Sequence, residues 1–327
     1  MNMQLSKNEW DPLKSVIVGI ANDAKIPKLD SSLRLVNYAD IKDINNIPYG
    51  NYPKQVIDEA NEDLNKFCDF LQSLDVMVYR PDINHIPKYY NYCPRDTVLI
   101  YDNLILATPN PLRARADEWY SMEHILSNYS SIVAPIIYRN DELYNNNCLR
   151  NPDILALNEI EPAFDAANIL RDNDNLYYLV SNSGNKLGAQ LLQEYVGPNK
   201  KVWLVEGIYS YMHLDSTIAL LREGLMLLNP SRIKDIKQLP KPLQSWDYIW
   251  CPEPIDIGHY PGYCNASKWI NMNLFSVNPN LVVLEENQTN LSKELNKYGI
   301  ETQMMPMRHQ RTLGGGFHCV TLDLVRS

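Results

Sequence analysis

The chain has 327 residues, of which 45% are hydrophobic and 21% charged, and its formal net charge is −9. This length allows two domains or one large domain with a single core. The acidic balance, without a basic stripe, argues against nucleic-acid binding, and no apolar run is long enough to cross a bilayer. The first residues show no basic segment followed by an apolar one, so we expect no secretory signal and a cytoplasmic location.

Segments with strand and helix patterns follow one another in a repeating order. A strand pair, a helix and a further strand are predicted over residues 97–138, 215–253 and 273–307, the second of these less cleanly. Residues 13–81 and 175–207 show parts of the same order. Short strands and single helices cannot bury their apolar faces alone, so such units must pack on one another. The pattern predicts an α/β fold of about five ββαβ units, and a generic α/β sheet is the alternative.

Cys319 has the most unusual neighbourhood of the six cysteines. None of the six belongs to a C-x-x-C pair, which argues against zinc and dithiol sites. Gly314, Gly315 and Gly316 precede Cys319 closely, and glycines allow tight turns and close approach to a ligand. We expect Cys319 at the start of the strand HCVTLDLV, facing a cavity. The alternative is a glycine-rich turn beside an ordinary buried cysteine.

A histidine and three carboxylates are further candidates. His213 and Asp215 are separated by one residue, so on an extended segment they would lie side by side on one face. Asp96 and Asp165 lie at strand edges in apolar surroundings, where a buried charge needs a partner. That partner is internal, such as Arg95 or Arg171, or it is a ligand cation. A structural His–Asp pair at a strand edge is the alternative for His213.

A thiol, an imidazole and several carboxylates together suit a guanidinium substrate. Carboxylates bind this planar cation through paired hydrogen bonds. A thiolate, favoured by the cation and by protonated His213, can attack the central carbon, and a histidine can protonate the departing amine. His318 is adjacent to Cys319, and neighbours on a strand face opposite sides, so His318 is not expected to be the base.

The chain also resembles a known family in many segments that occur in the same order. They are NEWDPLKSVIVG, RPD, CPRDTVLI, EPAFDAAN, MHLDST, LLNPSR, SKWINMN and RTLGGGFHC. These segments resemble those of the arginine:glycine amidinotransferases, and the resemblance extends from Asn8 to Arg326. It implies a five-bladed pseudosymmetric α/β propeller of ββαβ modules around a central active site, formed by residues 1–327 as a single catalytic domain. It also implies that no cofactor or metal is needed.

The resemblance implies roles for nine residues of this sequence. Cys319 matches the nucleophile, His213 the acid and base, and Asp165 the carboxylate that pairs with this histidine. Asp96 and Asp215 match the residues that bind the guanidinium. The remaining matches are with substrate-contacting positions: Arg232 for a substrate carboxylate, and Ser267, Met212 and Ser210.

The expected activity is transfer of the amidino group of L-arginine to an acceptor amine by a ping-pong mechanism. Glycine is the default acceptor, with guanidinoacetate and ornithine as products. The chain departs from the family at Ala266, at Asn168 and in the loop GIYSYM, and these departures concern the acceptor rather than the donor. The alternatives are an arginine deiminase or dihydrolase that uses water, and a non-catalytic arginine-binding protein. Relatives often form homodimers, but the sequence shows no interface pattern.

Overall fold

The structure is a computed structural model that describes residues 5–136 and 138–327. The strands in chain order are β1 Leu13–Val18, β2 Lys25–Ile26, β3 Gly50–Asn51, β4 Met77–Tyr79, β5 Val98–Tyr101, β6 Leu104–Ala107, β7 Ile132–Val133, β8 Ile169–Asp172, β9 Asn175–Leu179, β10 Lys201–Val205, β11 Ile218–Arg222, β12 Leu225–Leu228, β13 Asp247–Trp250, β14 Phe275–Asn278, β15 Leu281–Glu285, β16 Glu301–Met305 and β17 Thr321–Arg326.

The α-helices are α1 Ser31–Val36, α2 Lys54–Ser73, α3 Glu123–Leu126, α4 Lys186–Val196, α5 Thr289–Lys297 and α6 Gln310–Leu313. Short 3-10 helices span Ile44–Asn46, Pro94–Asp96, Arg113–Arg115, Glu118–Met122, Asp141–Leu143, Asn146–Leu149, Ala166–Asn168, Ile236–Gln238, Lys241–Ser245 and Lys268–Met272. None of the described helices combines the length and the apolar character needed to cross a bilayer.

Five three-stranded sheets share one connectivity. In each sheet an antiparallel strand pair is followed by a helical segment and then by a third strand, which is parallel to the second. The sheet orders are β5-β6-β7, β8-β9-β10, β11-β12-β13, β14-β15-β16 and β17-β1-β4. The predicted five ββαβ modules of an α/β propeller are therefore confirmed.

The two ends of the chain build one module together. Strand β1 pairs antiparallel with β17, with Leu13 opposite Arg326 and Val18 opposite Thr321, and it pairs parallel with β4. In the sequence the N-terminal unit lacks a first strand, and the last strand of the chain supplies it. This pairing closes the ring and holds the C-terminal segment, with Cys319, beside the N-terminal module.

Helix α2 shows how the apolar pattern positions the cysteine segment. Its buried face carries residues at helical spacing, and these are Val56, Ala60, Leu64, Phe67 and Leu71. The ring of Phe67 packs edge-on against Phe317, with 4.9 Å between the centroids. Because Phe317 is only two residues from Cys319, this contact ties the cysteine segment to the core.

The predicted secondary structure fails in two modules for recognisable reasons. The helical segment between β12 and β13 forms two 3-10 helices instead of an α-helix, and Pro240 and Pro242 lie within that stretch, where proline interrupts helical hydrogen bonding. The strand predicted over residues 131–138 is only Ile132–Val133, and Pro135 follows it closely. Residue 137 of that prediction lies outside the described residues.

Candidate active site

Each module contributes one polar residue from the segment just before its first strand. Asp96 precedes β5, Asp165 precedes β8, Asp215 precedes β11, Asn273 precedes β14 and Cys319 precedes β17. The three aspartates and Cys319 line one cavity of about 520 Å³. Asn273 lies behind them, where its Oδ1 accepts the backbone N–H of Cys319 at 3.1 Å. The pseudosymmetry of the fold thus brings together residues that are far apart in the sequence.

The three glycines before Cys319 are required by backbone geometry and by close packing. Gly314 ends α6 with φ +84°, in the left-handed region that favours glycine. A Cβ at Gly315 would lie 2.4 Å from the Sγ of Cys93, and one at Gly316 would lie 2.8 Å from the Oδ1 of Asn273. No larger residue fits either position without displacing its neighbours.

Cys319 lies in a turn two residues before β17 rather than at the start of the strand. The predicted strand start was therefore wrong, because this turn carries the thiol to the cavity wall. Its Sγ is 3.5 Å from the Oδ2 of Asp215. The neighbouring Cys93 thiol, burial and the charge of Asp215 together raise the pKa of Cys319 well above its ordinary value, and the contact with His213 lowers it only in part.

His213 has a left-handed backbone and pairs with Asp165. Its φ is +64°, and its N–H donates to the Oδ1 of Asn168 at 3.0 Å. Its Nε2 lies 3.0 Å from the Oδ2 of Asp165, and its Nδ1 lies 3.8 Å from the Oδ1 of Asp96. The predicted side-by-side pair of His213 and Asp215 on an extended segment is wrong, because the segment turns at His213.

The carboxylates around His213 favour its protonated form. Burial acts to lower the pKa of His213, but the charge of Asp96 and the hydrogen bond to Asp165 outweigh burial and raise that pKa well above its ordinary value. A protonated imidazole can donate a proton to a leaving group, and the raised pKa favours protonation of the imidazole again afterwards. The second oxygen of Asp165 accepts from the side-chain amide of Asn110, which holds the carboxylate in place.

Asp96 pairs with Arg115, which the sequence did not identify. The Nη1 of Arg115 is 2.6 Å from the Oδ2 of Asp96, whereas the Oδ1 of Asp96 is buried and makes no hydrogen bond with any described residue. Burial raises the pKa of Asp96, although His213 and Arg115 act in the opposite direction. Asp96 lines the cavity, and its unpartnered oxygen can accept a hydrogen bond from a cationic ligand.

Arg95 and Arg171, predicted as candidate partners of Asp96 and Asp165, belong to a separate buried network. Arg171 bonds Glu9 at 2.6 Å and Asp323 at 2.8 Å, and Arg95 bonds Asp323 at 2.8 Å. The prediction of these partners was wrong, because both guanidinium groups bind carboxylates that come from the two ends of the chain.

Arg232 leaves part of its guanidinium free toward the cavity that it lines. Its Nη1 donates to the backbone and side-chain oxygens of Ser216, both at 2.9 Å, and to the Oγ1 of Thr217 at 2.7 Å. Its guanidinium carbon lies 3.5 Å from the centre of the Tyr209 ring. No carboxylate of the described residues lies within 4 Å of it, so the other nitrogens can bind an anionic group.

Of the other predicted contact residues, Met212 and Ser267 line the cavity, and Ser210 does not. The carbonyl of Ser210 accepts from the backbone N–H of Asn182 at 2.8 Å, whereas its neighbours Tyr209 and Tyr211 line the cavity. The sequence analysis missed several tyrosines of the wall, which are Tyr38, Tyr89, Tyr90, Tyr209 and Tyr211. They lie in irregular segments, where no periodicity indicates the direction of a side chain.

Three side chains of the site have the geometry of a metal-ligand set. Asp96, His213 and Cys319 each offer one ligand atom, and these atoms lie within 4.8 Å of one another; it is the one such group in residues 5–136 and 138–327.

Comparisons with known proteins agree with this geometry. No protein-family model matches the chain. The chain is 40% identical to the inosamine-phosphate amidinotransferase 1 of Streptomyces glaucescens over 100% of this chain and 98% of the relative. It is 30% identical to the mitochondrial glycine amidinotransferase of Xenopus tropicalis over 98% of this chain and 82% of the relative.

A solved structure is also closely similar. The inosamine-phosphate amidinotransferase StrB1 of Streptomyces griseus superposes with a TM-score of 0.94 at 40% identity, over 100% of this chain and 98% of that one. The similarity therefore covers all five modules of the fold. The chain therefore belongs to the amidinotransferase family and is an enzyme of that kind.

Proposed function

We propose that this enzyme transfers the amidino group of L-arginine to an acceptor amine through a covalent intermediate on Cys319, and that residues 1–327 form a single catalytic domain. The observation that carries the proposal is the convergence of Cys319, the His213–Asp165 pair, Asp96 and Asp215 on one cavity. Pairing of the first and last strands supports the single domain.

The carboxylates bind the guanidinium. Asp96 offers its unpartnered Oδ1, and Asp215 offers a carboxylate that lies beside the Cys319 thiol. Two carboxylates keep the guanidinium flat and fully protonated, which leaves its central carbon open to attack. Arg232 binds the carboxylate of arginine with the nitrogens that the protein leaves free.

Substrate binding also activates the thiol. In the free protein the Cys93 thiol, burial and Asp215 keep the pKa of Cys319 high. A bound cation offsets the negative charge of the carboxylates and so favours the thiolate. The thiol proton is lost to solvent as the thiolate forms, and the thiolate Sγ attacks the central carbon. The bond between that carbon and the Nε of arginine then breaks while His213 donates a proton to this nitrogen, and ornithine leaves.

The second half-reaction reverses these roles. The acceptor amine attacks the amidino carbon, His213 takes its proton, and the bond between carbon and Sγ breaks. The cavity offers Arg232 as a cation without a carboxylate partner among the described residues, so after ornithine leaves it can bind one anionic group of the acceptor. Glycine carries one such group and is the default acceptor, and one relative is named for inosamine phosphate.

An acceptor screen tests the proposal. The purified enzyme is incubated with arginine and, separately, with glycine, β-alanine, lysine, taurine, a polyamine and an inosamine phosphate, and ornithine and citrulline are quantified. We expect ornithine to accumulate catalytically only with a suitable amine, in equal amounts with the new guanidino product. Citrulline formed without an amine would indicate a hydrolase instead, and no product from arginine under any condition would refute the proposal.

A further inference from the structure

His318, which directly precedes Cys319, connects the nucleophile segment to Asp215. Its Nδ1 lies 2.8 Å from the Oδ2 of Asp215, and the same oxygen lies 3.5 Å from the Sγ of Cys319. An ionised carboxylate can only accept hydrogen bonds, so Nδ1 carries the hydrogen. One carboxylate oxygen therefore faces the histidine on one side and the thiol on the other.

Further contacts hold the His318 imidazole and its backbone in place. Its Nε2 faces the Oε2 of Glu9 at 3.4 Å, and Glu9 is in turn bonded by Arg171 at 2.6 Å. Its backbone N–H donates to the Oδ1 of Asn273 at 3.0 Å, which also accepts from Cys319. Asp215, Glu9 and His318 are all buried, so bulk water cannot replace a lost contact.

We propose that His318 is a positioning residue that holds the Asp215 carboxylate toward Cys319 and the substrate guanidinium through its Nδ1–H, while its Nε2 contact with Glu9 serves only to orient the ring. This inference rests on the proposed function. It differs from the roles given to Cys319 and His213, since His318 touches neither the reacting carbon nor the leaving group.

The electrostatics of Asp215 agree with this arrangement. Burial alone acts to raise the pKa of Asp215, but the hydrogen bond and charge of His318, with a further contribution from His213, lower it below its ordinary value. Around the imidazole lie Glu9 and Asp215, and Arg95 lies behind Glu9 at 3.6 Å. Without the donor from His318, the Asp215 carboxylate is free to turn away or to take up a proton, and either change removes one of the two groups that grip the guanidinium.

Two isosteric substitutions separate the two ring contacts. In His318→Asn the side-chain amide lies where Nδ1 was and can still donate to Asp215, whereas in His318→Gln the amide reaches the position of Nε2 and contacts Glu9. We expect kcat/KM for arginine to stay within about 10-fold of wild type in H318N and to fall by about 100-fold in H318Q and H318L, the loss typical of a misplaced catalytic group. The acidic limb of kcat/KM should move to higher pH in H318Q and H318L and stay in place in H318N.

The comparison remains decisive if one variant folds poorly. Thermal unfolding measures the fold of each variant, and if H318L does not fold, the pair H318N and H318Q decides, since each keeps one contact. Equal losses in H318N and H318Q, greater activity in H318Q than in H318N, or unchanged activity in H318L would overturn the inference while the proposed function stands. A wild-type enzyme that releases no ornithine with any amine would overturn both.

Discussion

Replacing Asp165 with asparagine isolates the contribution of the His213–Asp165 pair. The amide keeps the shape of the carboxylate and its contact with Asn110, but it removes the charge that faces Nε2 of His213 at 3.0 Å. A hydrogen bond between charged groups contributes about 1.5–3 kcal/mol, so kcat/KM should fall by about 10- to 150-fold.

The pH dependence of kcat should also change in D165N, in a direction that follows from the pKa of His213. Asp165 helps to raise the pKa of His213, and the protonated form exists only below that pKa. Loss of Asp165 should therefore move the basic limb of kcat down by about one to two pH units.

Initial rates of ornithine release between pH 6 and pH 10, roughly the range in which His and Cys titrate, measure both effects. Asp174→Asn is the matched control, since Asp174 is 74% exposed in its side chain and pairs with Lys200, and neither residue lines the cavity. A D165N enzyme with a rate within about 3-fold of wild type, a loss under about 1 kcal/mol, and with an unmoved basic limb would refute the assignment of Asp165.

Three further substitutions test other parts of the site. Gly315→Ala places a Cβ against the Sγ of Cys93 and should lower stability by about 1–3 kcal/mol in thermal or denaturant unfolding; the double variant G315A/C93A should recover part of this loss, and an unchanged Tm in G315A would contradict the packing argument. Arg232→Met should raise the KM for arginine by about 10- to 150-fold but leave the reaction of agmatine, which lacks the carboxylate, nearly unchanged; equal effects on both donors would show that Arg232 does not bind the carboxylate. Asn168→Ala leaves the N–H of His213 without its acceptor and should cost about 1–3 kcal/mol of stability, with a loss of kcat, whereas an unaltered protein would show that the strained backbone needs no such support.

The sequence is most informative where periodicity and composition determine the structure. Apolar residues at helical spacing in α2 and the alternating hairpins predict three complete modules and parts of two more. They do not reveal that β17 pairs with β1, because pairing between the two ends of a chain leaves no local pattern. The repeat does indicate that a strand is missing, because the N-terminal unit lacks the first strand that the complete units have.

The candidate site is predictable where a residue type is unusual in its surroundings. Three glycines before Cys319, and carboxylates among apolar residues at Asp96 and Asp165, indicate the cavity before any coordinates exist. The contacts between side chains of the site are harder to predict from the sequence, because they depend on turns. The left-handed backbone at His213, for example, separates its side chain from that of Asp215. Asn273 is recoverable only after the modules are aligned, since it holds the position in its module that aspartates and Cys319 hold in the others.

The most direct test of the central proposal is to trap the intermediate on Cys319. The enzyme is mixed with arginine labelled in its guanidino carbon, without an acceptor amine, quenched in acid and mapped by peptide mass spectrometry. We expect one equivalent of ornithine per active site and one amidino group on the peptide that contains Cys319, with neither in Cys319→Ser. Label on a different residue, or undiminished amidino transfer by the serine variant, would contradict the account.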